Sequence, residues 1–125
     1  MLFAACILGI AAGPANAGQT ESWYVNRHCK GEIEYRLQDG TRVDCLTDTH
    51  AIEYDFALKW HEAIGQALHY SRLSGKRAGI VLILEKKADL RSWDKMLETI
   101  RFYGLPVDCW QVKTNSFGPT PERAH

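Results

Sequence analysis

The chain has 125 residues, 15 Lys and Arg against 15 Asp and Glu, a formal net charge of +0, 46% hydrophobic and 10% aromatic residues. This describes one globular domain and sets aside intrinsic disorder, collagen-like repeats and a multi-span membrane protein. Neutrality excludes a bulk basic field, so any site for a polyanion must be assembled locally from a few Lys and Arg.

Residues 1–17 carry no charged side chain, hold an apolar run from Leu2 to Ala12 and end in Ala15-Asn16-Ala17. This is the pattern of a secretory signal peptide with a small-x-small cleavage site, lacking only the usual cation after Met1. The run is too short to span a bilayer. The expectation is an exported protein, periplasmic or secreted, whose mature chain starts at Gly18 and has no membrane association after cleavage. The competing reading is a buried N-terminal helix. Cys29, Cys45 and Cys109 would remain in the mature chain, an odd number that leaves at least one free thiol or an intermolecular pair. No Cys/His ligand spacing for a structural zinc is present.

Thr20 can cap a short helix running to about Lys30, with Gly31 as its stop. Glu32 to Leu37, the Asp39-Gly40 turn and Thr41 to Leu46 then read as a hairpin. Ala51 to Phe56 reads as a third strand, with Ile52, Tyr54 and Phe56 on one face and Glu53 and Asp55 on the other. From about Leu58 to Leu73 the period becomes helical, and Trp60, Ala63, Ile64, Ala67, Leu68 and Ser71 form the packing stripe. Ala78 to Leu84 is a continuous apolar run, as in a strand buried on both faces. Asp89 to Tyr103 reads as an amphipathic helix with Leu90, Trp93, Leu97, Ile100 and Tyr103 inward, and Val107 to Val112 as a last strand. The fold class is therefore α/β: a mixed sheet of about five strands, an antiparallel three-strand meander plus parallel strands, flanked by helices in the order α-βββ-α-β-α-β. A single domain spans residues 18–113, and the turn-rich residues 114–125 read as a flexible tail.

Asp44 on the second strand and Glu53 and Asp55 on the third can converge across the meander. Such carboxylates are either the wet side of a sheet or oxygen ligands for a hard divalent cation, Mg²⁺ or Mn²⁺. Lys59, Glu62, Gln66 and Tyr70 follow at spacings that place them on one helical stripe leading away from the carboxylates. That stripe is either a solvated helix face or the continuation of a site.

The run GTRVDCLTDTHAIEYDFALKWHEAIGQALHY, Gly40 to Tyr70, resembles the core of the PD-(D/E)XK nuclease superfamily. The resemblance covers about residues 20–85 and matches the order of helix, meander, helix and strand. It implies a metal-binding aspartate at Asp44 and, at Glu53, the acidic residue that opens the D/E-x-K motif. Gln66-x-x-x-Tyr70 is similar to the QxxxY element of RecB-like members, and Glu21 matches, loosely, a helical glutamate that precedes the meander in some members. The motif lysine is absent: position 55 is Asp55, and the nearest lysine is Lys59. The superfamily relocates this lysine, so Lys59 is the candidate to serve in its place and Asp55 an added metal ligand.

The implied activity is divalent-metal-dependent hydrolysis of nucleic acid, DNA ahead of RNA. Asp44, Glu53, Lys59, Gln66 and Tyr70 would form the catalytic set, Asp44, Glu53, Asp55 and Glu21 would hold Mg²⁺ or Mn²⁺, and Arg42, Lys76, Arg77, Lys86 and Lys87 could meet phosphates farther off. The alternative is a small exported binding or structural protein that keeps this fold with a decayed site. His61 and His69 read as surface residues, His50 lies at the solvent end of the third strand, within possible reach of a substrate, Trp60 and Trp93 read as core, and an exposed Trp23 or Trp110 could stack on a base. If the first helix folds back over the second strand, Cys29 meets Cys45 and Cys109 stays free and buried; otherwise all three thiols are unpaired.

Overall fold

The structure, a computed structural model, describes residues 18–118. The segment read as a signal peptide and residues 119–125 lie outside the described residues. In chain order the elements are α1 (Glu21–His28), β1 (Glu32–Arg36), β2 (Arg42–Leu46), β3 (His50–Phe56), α2 (Trp60–Ser74), β4 (Arg77–Leu84), α3 (Leu90–Tyr103) and β5 (Val107–Lys113). The sheet order is β1-β2-β3-β4-β5, with β1, β2 and β3 antiparallel and β3, β4 and β5 parallel. The chain is thus of the α/β class with a five-strand mixed sheet. Among the described residues no helix is long and apolar enough to cross a membrane.

β4 is the spine. Every residue from Ala78 to Leu84 is buried, because both faces of this strand are covered. On one face Ile80, Leu82 and Leu84 pack with Ala63, Ile64 and Ala67 of α2 and with Met96 and Ile100 of α3. On the other, Val81 and Ile83 pack with Tyr54 and Cys45 beneath Tyr24 and Val25 of α1. Two crossovers of one hand put α2 and α3 on the same side and leave the opposite side to α1, giving three layers.

Thr20 caps α1 as the sequence suggests, its hydroxyl accepting from the Trp23 amide at 3.3 Å. The helix ends earlier than expected, however, at His28, with an extended Cys29 as its cap. Gly31 is not the stop. A Cβ there would lie 2.1 Å from the Leu46 carbonyl oxygen, so Gly31 is the point where the chain crosses tightly against the end of β2.

The hairpin loop has three residues, Gln38 to Gly40, with Gly40 at φ 87° and the Leu37 amide bonded to the Thr41 carbonyl. A two-residue loop at Asp39-Gly40 would set Glu34 opposite Cys45. The extra residue shifts the register by one, so Cys45 faces Ile33.

In α3 the inward residues are Met96 and Ile100, with Trp93 at the edge. Leu90 and Tyr103 are instead exposed, because they lie beyond the stretch of α3 that the sheet covers. The region after β5 is packed over its described part. The Thr114 amide bonds the Leu84 carbonyl and Phe117 is buried in the main core, so the domain extends past the expected boundary at residue 113.

The Cys29–Cys45 disulfide is formed, with Cα atoms 5.7 Å apart, and ties the end of α1 to the sheet. Cys109 has no disulfide partner among the described residues and is half-buried rather than buried.

Candidate functional site

β2 and β3 pair at only two positions, Cys45 with Ile52 and Leu46 with Ala51. One residue further the strands part, and the Tyr54 amide donates to Asp44 Oδ2 at 2.9 Å instead of to a carbonyl across the ladder. A buried amide must find an acceptor, and here the acceptor is a side chain. The Asp44 carboxyl is thereby held in the fork between the strands, within hydrogen-bonding reach of Glu53. Glu53 and Asp55 share a face of β3, the face that also carries Ile80 and Leu82 through the β4 pairing.

That face is not the wet side of a sheet. Glu53 is 6% exposed and Asp55 3%. Burial raises both carboxyls, and their neighbours raise them further. Glu53 is pushed up to about 9, by desolvation first and then by the charges of Asp44 and Asp55. Asp55 is raised by desolvation and by Glu21, against the opposing pull of Lys59. Asp44 is raised by burial, partly offset by the Tyr54 bond. The Oε2 atom of Glu53 is fully buried and has no hydrogen-bond partner among the described residues.

Lys59 ends the single turn Ala57–Lys59 that joins β3 to α2. Its ammonium lies 3.3 Å from Glu21 Oε1 and 4.0 Å from Asp55 Oδ1, and both carboxylates hold its proton more firmly. Glu21 comes from the first turn of α1 and is also within hydrogen-bonding reach of Asp55. Tyr70 is buried on α2, and its phenol is pushed up to about 12 by burial and by the charges of Glu53 and Asp44. Gln66 is half-buried one turn earlier and makes no side-chain hydrogen bond among the described residues.

Of the residues singled out in the sequence, then, Glu21, Asp44, Glu53, Asp55 and Lys59 come together and Tyr70 borders them, whereas Gln66 is not joined to them. Two of the four carboxyls, Glu21 and Asp55, face the Lys59 ammonium, and the four fall in two neighbouring pairs, Asp44 with Glu53 and Asp55 with Glu21. Among the described residues no three His, Cys, Asp or Glu side chains are arranged around one point to hold a metal ion. The donor chemistry nevertheless suits a hard divalent cation: every donor is a carboxylate oxygen, and one buried oxygen of Glu53 is unpartnered.

Glu21 and Asp44 line a cleft of about 440 Å³ between α1 and β1, together with Ser22, Val25, Asn26, Ile33 and Glu34. Glu34 takes φ 51°, a left-handed backbone rarely adopted outside glycine. Three of the five cations proposed to meet phosphate are engaged elsewhere: Arg42 with Glu34, Lys76 with the Asp48 carbonyl and Arg77 with Asp108. Lys86 and Lys87 are exposed. His50 points away from the cluster, its Nε2 lying 2.7 Å from Asp108 Oδ2, a pairing across 58 residues that no local pattern signals. His61 is exposed, stacked on Trp60, and His69 pairs with Asp39.

Set against protein-family models, curated proteins and solved structures, the chain matches none.

Proposed function

We propose that the protein is a divalent-metal-dependent nuclease that hydrolyses phosphodiester bonds of nucleic acid, with DNA as the first substrate to test, and that it is exported from a bacterial cell. The observation that carries this reading is the gathering of Glu21, Asp44, Glu53, Asp55 and Lys59 at the fork of β2 and β3, with a buried, unpartnered Glu53 oxygen. Placing like charges together in a buried fork is costly, and a hard cation is the ligand that reverses the cost. The resemblance of Gly40 to Tyr70 to the PD-(D/E)XK superfamily supports the same reading. Export is supported by the Cys29–Cys45 disulfide, since such bonds persist in oxidising compartments.

In this reading Asp44 and Glu53 hold Mg²⁺ or Mn²⁺, with Asp55 as a further ligand. The ion supplies a water of lowered pKa and neutralises charge on the leaving oxygen. Glu53, whose carboxyl is pushed up to about 9, would serve as a ligand only after losing its proton to solvent. Lys59 orients the attacking water or meets the charge that develops on the phosphate, and Glu21 holds the Lys59 ammonium beside Asp55. Tyr70 donates its phenolic proton toward the substrate strand.

The second reading is a binding or structural protein with a decayed site. It is favoured by Asp55 at the position of the motif lysine and by the pairing of the carboxyls instead of their convergence. Incubating the full chain with plasmid and with single-stranded DNA, with Mg²⁺ and with a chelator, separates the two. Cleavage that needs Mg²⁺ and is lost in Glu53→Gln is the expected result. No cleavage with either Mg²⁺ or Mn²⁺ would assign the protein to the second reading.

A further inference from the structure

α1 stands between two clefts. At 100° per residue its Glu21 and Val25 face the acidic cleft beside Asp44, while Trp23 and Arg27 lie on the opposite flank. That flank forms one wall of a second groove of about 520 Å³, closed on its far side by Lys113 at the end of β5 and by Asn115 and Ser116 after it. The two grooves differ in charge. The first is lined by Glu21, Glu34 and Asp44, the second by Arg27, His28 and Lys113.

Arg27, His28 and Lys113 form no ion pair among the described residues. The Arg27 and Lys113 cations lie over aromatic rings instead, Arg27 at 5.2 Å from the Trp23 centroid and Lys113 at 4.9 Å from that of Phe117. Glu85 borders the groove beside Gly18. Trp23 is 38% exposed, held edge-on by Tyr24 at 4.9 Å and covered on one side by Arg27, which leaves part of the indole open at the groove. A fixed indole beside unpaired cations and small polar groups is the chemistry that takes up an unstacked base and its flanking phosphates. A duplex keeps its bases stacked inside and cannot present one to an indole set in a groove.

We propose that this groove binds single-stranded nucleic acid, with a base stacked on Trp23 and adjoining phosphates on Arg27 and Lys113. It thereby anchors the strand whose scissile phosphate lies across α1 at the carboxyl cluster. The second half rests on the nuclease reading; the binding half does not. A helix with its side chains is about 10–12 Å across, a span that a few nucleotides of extended strand cover.

The test measures anisotropy of a labelled oligothymidylate with the full chain in a chelator, so that no hydrolysis occurs. Wild type is expected to bind the single strand more tightly than a duplex of equal length. Trp23→Ala should weaken binding about tenfold or more, and Arg27→Ala with Lys113→Ala should reduce the slope of log K against log salt by about one to two. Arg101→Ala, at an exposed position of α3, should change nothing. Trp23→Phe, which keeps a ring against Tyr24, should bind nearly as wild type and guards against misfolding. No binding by wild type at low salt, or equal affinity in wild type, Trp23→Ala and the double variant, overturns the proposal. Groove-dependent binding without cleavage in either Mg²⁺ or Mn²⁺ would overturn the nuclease reading and leave the binding site standing. Cleavage with no dependence on the groove would do the reverse.

Discussion

Lys59 Nζ lies 3.3 Å from Glu21 Oε1, which ties the turn after β3 to a helix 38 residues earlier in the chain. Neither residue has an obvious local purpose. Together they place one ammonium beside the buried Asp55 carboxyl. Lys59→Met is expected to lower Mg²⁺-dependent cleavage by about 10²- to 10³-fold, the loss typical of one preorganised electrostatic partner. Glu21→Gln should give a smaller loss, about tenfold, because the ammonium remains but loses its anchor. Single-turnover rates at saturating DNA provide the check; equal rates in Lys59→Met and wild type would remove Lys59 from the mechanism.

The second prediction concerns pH. Glu53 keeps its proton up to about 9 in the folded chain, against a reference value of 4.5. Between those values the folded state binds a proton that the unfolded state has lost, so stability declines as pH rises through that window and is fully present only below it. Asp55 acts in the same direction. In a chelator the melting temperature should therefore fall steadily from about pH 5 to about pH 9. Glu53→Gln should flatten that slope and melt higher at about pH 8, each 1 kcal/mol corresponding to about 4–8 °C in a domain of this size. Identical pH profiles for the two proteins would mean that Glu53 is not the protonated group.

The alternation of Ile52, Tyr54 and Phe56 against Glu53 and Asp55 is legible from β3 alone, as is the buried run of β4. What that alternation hides is the burial of the acidic face. Two carboxylates on a strand normally face water, and only the packing of α2 over β3 shows that these do not. The Tyr54 amide bonded to Asp44 and the Glu21–Lys59 pair are equally invisible, since each depends on tertiary contacts. Met96 is missed for a simpler reason: the apolar stripe of α3 admits more than one rotation, and Leu90 and Tyr103 compete with it for the inward face. The register of the hairpin turns on one residue of loop length, which Asp39-Gly40 does not specify.

The disulfide should carry much of the stability of the region that holds Glu21. It closes a loop of sequence separation 16, for which the chain-entropy account gives about 3 kcal/mol. Cys29→Ala with Cys45→Ala should lower the melting temperature by roughly ten degrees or more. In the wild type, alkylation of the denatured, non-reduced chain followed by mass spectrometry should leave Cys29 and Cys45 unmodified and modify Cys109. Modification of all three would disprove the bridge.

Two glycines should respond in opposite ways to alanine. At Gly31 the new methyl would sit 2.1 Å from the Leu46 carbonyl oxygen, so backbone must move where α1 is tied to the sheet. Gly31→Ala should destabilise by at least about 2 kcal/mol, as overpacking does. Gly65 lies within α2 with open space around it, and Gly65→Ala should stabilise by about 0.5–1 kcal/mol through helix propensity alone. Denaturant midpoints of the two variants against wild type settle the signs.

If the carboxyl cluster exchanges its protons for a divalent cation, calorimetric titration of Mn²⁺ into the full chain measures the exchange directly. Run at about pH 8 in two buffers of different ionisation enthalpy, it yields both the affinity and the number of protons released, because carboxyl ligands must lose their protons to bind. The prediction is saturable binding with about one proton released per ion, abolished in Asp44→Asn and in Glu53→Gln. Absence of saturable binding, or binding without proton release that persists in both variants, would contradict it.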